Sequence, residues 1–101
     1  MIRFNEKLRP ENVVYIKSFG DYIKVFTKEG FTIHHDTMKR LEKVLPEHYF
    51  QRVHRGYIVN IEHIKSVTDC EIRFFVIDDI VTAVPGKLRP LYNKINRLTN
   101  H

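Results

Sequence analysis

The stretch "QRVHRGYIVN", residues 51–60, changes character halfway along. Arg52, His54 and Arg55 crowd three potential cations together, Tyr57 follows, and the ten residues contain no acid. Ile58 and Val59 then turn the chain apolar, and Asn60 closes it. A solvated surface loop has no use for the apolar half. A core strand does not tolerate Arg52, His54 and Arg55 together. What this mixed segment touches is the question the rest of the sequence has to answer.

With 101 residues the chain is expected to form a single domain spanning residues 1–101, around one hydrophobic core. Seventeen Lys and Arg against twelve Asp and Glu leave a net charge of +5. Such a balance suits nucleic acid, an anionic membrane or an acidic partner. The charge is also segregated. Residues 80–101 contain no acid but carry Lys87, Arg89, Lys94 and Arg97, while Asp69, Glu71, Asp78 and Asp79 cluster just before them. Cys70 is the only cysteine, which excludes an intramolecular disulfide and a four-cysteine zinc site and suits a reducing compartment. No apolar run has the length of a signal peptide core or of a membrane span, so the expected location is the cytoplasm.

Around the opening stretch the pattern is mainly β. "VVYIKSF" (13–19) and "YIKVFT" (22–27) are rich in β-branched and aromatic residues and flank a Gly20-Asp21 turn. "FTIHH" (31–35) follows Glu29-Gly30, so the three predict an antiparallel meander. "IKSV" (64–67), "IRFFVI" (72–77) and "IVTAV" (80–84) predict a second set, with Phe74 and Phe75 flanked by apolar residues as core positions. "IRF" (2–4) reads as a further edge strand. Between the two sets, "DTMKRLEKVL" predicts a short helix, with Asp36 as N-cap, Met38, Leu41 and Leu45 on one face, and Pro46 as stop. In "KLRPLYNKINRL", Leu91, Ile95 and Leu98 recur at helical spacing, and Pro90 requires that helix to begin just before it. The expected fold is mainly β, with short antiparallel strands, one short helix between the two sheets and a C-terminal helix.

Catalytic and metal chemistry find little support. His34 and His35 are neighbours on a strand, so they point to opposite faces and cannot chelate one ion together. His48, His54, His63 and the terminal His101 fit no tight ligand motif. Cys70 lies between Asp69 and Glu71, which oppose thiolate formation. "HRGYIVN" departs twice from a kinase catalytic loop: Gly56 stands where the aspartate would be, and Asn60 comes one residue early. No glycine-rich phosphate loop occurs. The reading is therefore a binding module without enzymatic activity, metal or cofactor. Three connections offer basic or hydrogen-bonding residues: Tyr22 and Lys24 by the first turn, residues 52–57, and Lys87 with Arg89 after Pro85-Gly86. A domain of this length is roughly 30 Å across, and a turn of B-DNA is about 34 Å. Three such loops on one side would reach two successive grooves.

"FQRVHRGYIVNIEHIKSV" (50–67) closely resembles the signature of the LytTR DNA-binding domain of bacterial response regulators. Phe50, Arg52, His54, Arg55, Tyr57, Val59, Asn60 and Ile64 all fall on the motif, and Gly56 stands where serine is usual. "VVYIKSFGDYIKVFT" resembles the family's first hairpin and "TMKRLEKVLPEHYF" its helix and next strand, so the resemblance runs over about residues 2–99. It implies an almost wholly β fold that reads direct or imperfect repeats in promoter DNA from loops, in a domain usually joined to a phosphorylated receiver that this length cannot include. Carried over, Tyr22 or a neighbour, Arg55 and Lys87 become base readers, with Lys24 beside the first of them. Arg52, His54 and Arg89 become supporting or phosphate contacts. Asn60 fixes the local backbone. Val53, Ile58 and Val59 would then anchor the segment in the core while its cations face a duplex. No dimerisation helix or heptad seam is present, so a monomer in solution is expected, with two copies on repeated half-sites about one helical turn apart. A basic β module for RNA or an acidic protein partner is the alternative reading.

Overall fold

Apolar residues two apart build the main sheet. In β1 (Tyr15–Phe19) and β2 (Tyr22–Thr27), Ile16, Ile23 and Val25 are fully buried, and their neighbours along each strand point the other way. The two strands pair antiparallel across a two-residue turn at Gly20-Asp21, where Gly20 takes φ +61°, a conformation side chains disfavour. β3 (Gly30–His34) extends the meander on one side. On the other side the stretch that opened the sequence supplies two more strands, β4 (Phe50–His54) and β5 (Tyr57–Asn60). The order is β3-β2-β1-β5-β4, all antiparallel. The computed structural model describes residues 1–99, and His101 lies outside them.

Each face of this sheet closes a separate core. On one face Ile16, Ile23, Val25, Phe50 and Ile58 pack with Met38 and Leu41 of α1 (Met38–Val44), with Leu45, and with Ile2 and Val13. On the other face Tyr15, Val53 and Val59 pack under a three-stranded antiparallel sheet and a helix. Those strands are β6 (Ile64–Thr68), β7 (Glu71–Phe74) and β8 (Ile80–Thr82), and the helix is α2 (Leu88–Thr99), which buries Leu91. Tyr15 is stacked between Phe26 at 4.3 Å and Phe74 at 5.4 Å, and its hydroxyl donates to Asp79 at 2.8 Å. Burial, and then the Asp79 carboxylate, push that phenol well above its ordinary range. Seven residues are too few for α1 to be stable alone. Each fully buried aliphatic side chain contributes about 1.5–3 kcal/mol, so burial of Leu41 and its neighbours holds the helix in place.

Three expectations need correction. Residues 2–4 form no strand; Ile2 is instead pinned by donating its amide to the Asp36 carboxylate at 2.9 Å. Asp36 is not the N-cap of α1, a role taken by Thr37, whose Oγ1 accepts from the Arg40 amide at 3.1 Å. Asp36 is buried and engaged by the Arg40 guanidinium and by the Ile2 and Thr37 amides, and these, Arg40 foremost, hold its carboxyl well below the usual carboxylate range. β7 ends at Phe74, so Phe75 leaves the core and is 67% exposed. Pro90 falls in the first turn of α2, as expected, and a 3-10 turn at Pro85–Lys87 precedes that helix and carries Lys87.

Candidate nucleic-acid interface

Two backbone hydrogen bonds bring the three basic connections to one end of the molecule. Ser18, at the end of β1, donates its amide to the Gly56 carbonyl at 2.9 Å, which sets the turn between β4 and β5 beside the turn between β1 and β2. Val84 donates its amide to the Val53 carbonyl at 2.8 Å, which sets the Pro85–Lys87 turn against the end of β4. Spacing along the chain could not reveal either contact, because both cross between elements far apart in sequence.

The turn at 54–57 is built by its own side chains. A bulge between Arg52 and His54 shifts the β4–β5 register and lets the two side chains take separate roles. His54 Nδ1 accepts the Gly56 amide at 3.0 Å, so the neutral ring carries its proton on Nε2. Its ring lies 5.5 Å from that of Tyr57. Arg52 donates from Nη1 to Glu42 of α1 at 3.1 Å and from Nη2 to the Arg55 carbonyl at 2.6 Å. A side chain on Gly56 would meet Ser18 Oγ at 3.3 Å, so the glycine permits the close approach of the two turns. Just beyond, buried Asn60 donates to the Val13 carbonyl at 2.9 Å and accepts from the Glu62 amide at 3.0 Å. It fixes the backbone, as the resemblance implied.

Around this frame the free charge is unevenly held. Arg55, Lys87 and Arg89 are exposed, and among the described residues none of them pairs with an acid. In particular, Arg55 is not spent on Glu62. Tyr22 is 47% exposed at the first turn, its ring edge-on to His35 at 5.3 Å. Lys24 stands on the sheet face with its ammonium over the rings of Phe19 at 4.2 Å and Phe31 at 4.7 Å. Two residues here were missed from the sequence. Lys17 faces Lys24 directly across β1 and β2, and Phe19 is half exposed beside them. Alternation on either side of Gly20-Asp21 carried that signal. Lys94, part of the basic tail, is used internally, donating to the Glu47 and Phe50 carbonyls at 2.6 and 2.8 Å, and burial pushes its ammonium pKa down. Among the described residues no group of three or more His, Cys, Asp or Glu could hold a metal. No helix among them is long and apolar enough to cross a membrane.

The sequence profile of the LytTr DNA-binding domain matches residues 5–82. The chain belongs to the LytTr DNA-binding domain family. Among curated relatives, the sensory transduction proteins LytT of Bacillus cereus and Bacillus anthracis are each 40% identical over 57 residues, and LytT of Bacillus subtilis 33%. Those alignments cover 56% of this chain and less than a quarter of each relative, 23% for the first two and 24% for the third. The LytTr DNA-binding domain of a methyl-accepting/DNA response regulator from Bacillus cereus superposes with a TM-score of 0.73 over 93% of this chain and 86% of its own, at 21% identity. It shares the fold. The LytTr domain described here is thus a DNA-binding module of the kind used in transcription regulation.

Proposed function

We propose that this LytTr domain reads direct or imperfect repeats in double-stranded promoter DNA through its three gathered turns, as the output domain of a cytoplasmic two-component response regulator. The observation that carries the reading is the exposure of Arg55, Lys87 and Arg89, unpaired among the described residues, on or beside turns tied to one end of the sheet. Arg55 offers a planar fork that matches guanine O6 and N7. Tyr22 stands at the first turn as a further base reader, and Lys87 stands at the third as a point charge for general attraction to the duplex. Lys24 and Arg89 supply attraction to phosphate, and His54 keeps Nε2–H as a donor. The domain measures 32 × 27 × 26 Å, close to the roughly 34 Å turn of B-DNA, so its turns fit successive grooves of one duplex face. A receiver joined to it would deliver the signal, and two monomers would occupy half-sites about one helical turn apart.

Selection of bound duplexes from a random pool tests this directly. On the selected site, log K should fall against log salt with a slope of about −4 to −5, as four to six phosphate contacts require. A slope near zero removes the electrostatic basis, and a tight dimer in sedimentation without DNA removes the monomer. One observation favours a second reading. Phe19, Tyr22 and Phe31 are half exposed on one face with Lys17 and Lys24 between them. Aromatics interleaved with cations on a sheet face also suit single-stranded RNA. Competition of single-stranded RNA against the selected duplex separates the two, and the duplex should win.

A further inference from the structure

Arg52 and Arg55 share a segment but not a direction. Arg55 is exposed and unpaired among the described residues, whereas the Arg52 side chain is 25% exposed and both ends of its guanidinium are engaged. Its Nη2 holds the Arg55 carbonyl at 2.6 Å, and its Nη1 holds Glu42 at 3.1 Å. Its Nε is buried without a partner, so the group is turned inward at a cost that a free phosphate-seeking arginine would not accept. Glu42 sits in α1 next to Leu41, which is fully buried in the first core. The chain of contacts therefore runs from the core through α1, Glu42 and Arg52 to the peptide that presents Arg55. His54 and Ser18 hold the same turn on its other sides, through Gly56.

We infer that Glu42 is a positioning residue for duplex reading, acting through Arg52 to fix the Arg55 backbone, and that Arg52 is a bracket and not a phosphate contact. This rests on the reading of the turns as the DNA-contacting surface. Ordering a turn during binding costs conformational entropy, and a turn ordered beforehand does not carry that cost into the complex. The bracket and a simple charge effect predict opposite signs. Removing an acid from a duplex-facing surface strengthens binding to every sequence by lowering repulsion. Removing a positioning acid weakens binding where the geometry of Arg55 is used, on the specific site.

The test uses Glu42→Ala, Glu42→Gln, Arg52→Lys and Arg52→Gln in the full chain. Glu42 is half exposed in a helix, so its variants fold readily. Glu42→Ala should weaken the selected duplex by about three- to fivefold, the upper end of what an exposed ion pair is worth, leave random duplex no weaker and keep the salt slope. Glu42→Gln, which still accepts a hydrogen bond, should recover part of the loss. Arg52→Lys should weaken the specific site with the slope unchanged, and adding Glu42→Ala to it should change little more. Without DNA, the Ser18 and Gly56 amides should exchange faster in both Glu42→Ala and Arg52→Lys. Tighter binding of all duplexes by Glu42→Ala overturns the inference. So does a salt slope reduced by about 1 in Arg52→Gln, which removes the charge, since that is the mark of a lost phosphate contact. A wild-type chain that selects no duplex breaks the DNA reading itself. The exchange measurement then still decides the bracket, and unchanged rates overturn it.

Discussion

Among the described residues, the turn at 54–57 and the turn at Pro85–Lys87 present one free cation each, yet they are built in opposite ways. The first is closed on itself by side chains: His54 accepts from Gly56, Arg52 grips the Arg55 carbonyl, and Gly56 receives the Ser18 amide. The second has no side-chain cap and is tied by backbone bonds, Val84 to Val53, Lys87 to Val84 and Leu88 to Pro85. Gly86 within it has open space around it, whereas Gly56 is pressed against Ser18. A preset backbone suits an arginine that must present two donors at a fixed angle to one base. A looser one suits a lysine acting as a point charge on a flexible stem. On the proposed reading, that difference would give discrimination to Arg55 and general attraction to Lys87.

The largest effect should come from Arg55→Ala. It should cost about 1–3 kcal/mol on the selected duplex and much less on random duplex, with preference relaxed at one base pair. Equal losses on both would break the contrast. Arg55→Lys sharpens it: attraction to phosphate should return, and the preference at that base pair should not. Lys87→Ala should weaken every duplex by a similar factor and reduce the salt slope by about 1, read from titrations at several salt concentrations. A change confined to one base pair would make Lys87 a reader equal to Arg55. The smallest effect is that of Gly86→Ala. The added methyl meets nothing within 4 Å and the glycine has an ordinary φ, so thermal unfolding should show a gain of about 0.4–1 kcal/mol from a less flexible unfolded chain. If backbone order is what separates the turns, this variant should also sharpen base preference at the Lys87 position.

The meander was legible because Ile16, Ile23 and Val25 alternate with polar residues on both sides of Gly20-Asp21, and both helices because their apolar stripes end at Pro46 or begin beside Pro90. Residues 50–60 were legible as a motif but not as two strands of the main sheet. Only Phe50, Val53, Ile58 and Val59 are needed to bury them, and the bulge after Arg52 breaks the alternation. Phe75 misled because an apolar run does not show where its strand ends. Asp36 misled because a carboxylate before a helix looks the same whether it caps the amides or holds an arginine. At the candidate site, Arg55, Lys87 and Tyr22 could be named as candidates from the sequence. Their common end could not, since it depends on Ser18 meeting Gly56 and Val84 meeting Val53. The double engagement of Arg52 was equally hidden, because Glu42 reaches it from a different element.

The clamp on Ile2 has a practical consequence. Asp36 holds the Ile2 amide and Arg40 reaches the Ile2 carbonyl, so the chain ahead of the first strand is fastened to the start of α1. Met1 consequently shares a shallow cavity of about 450 Å³ with Gly20, Asp21 and Tyr22. Anything fused ahead of Met1, whether a purification tag or a fluorescent reporter, would emerge beside the first turn. It would crowd Tyr22 and leave Arg55 less hindered. An N-terminal fusion would thus act as a graded steric probe of which turns a bound molecule covers, with fusion length as the adjustable variable.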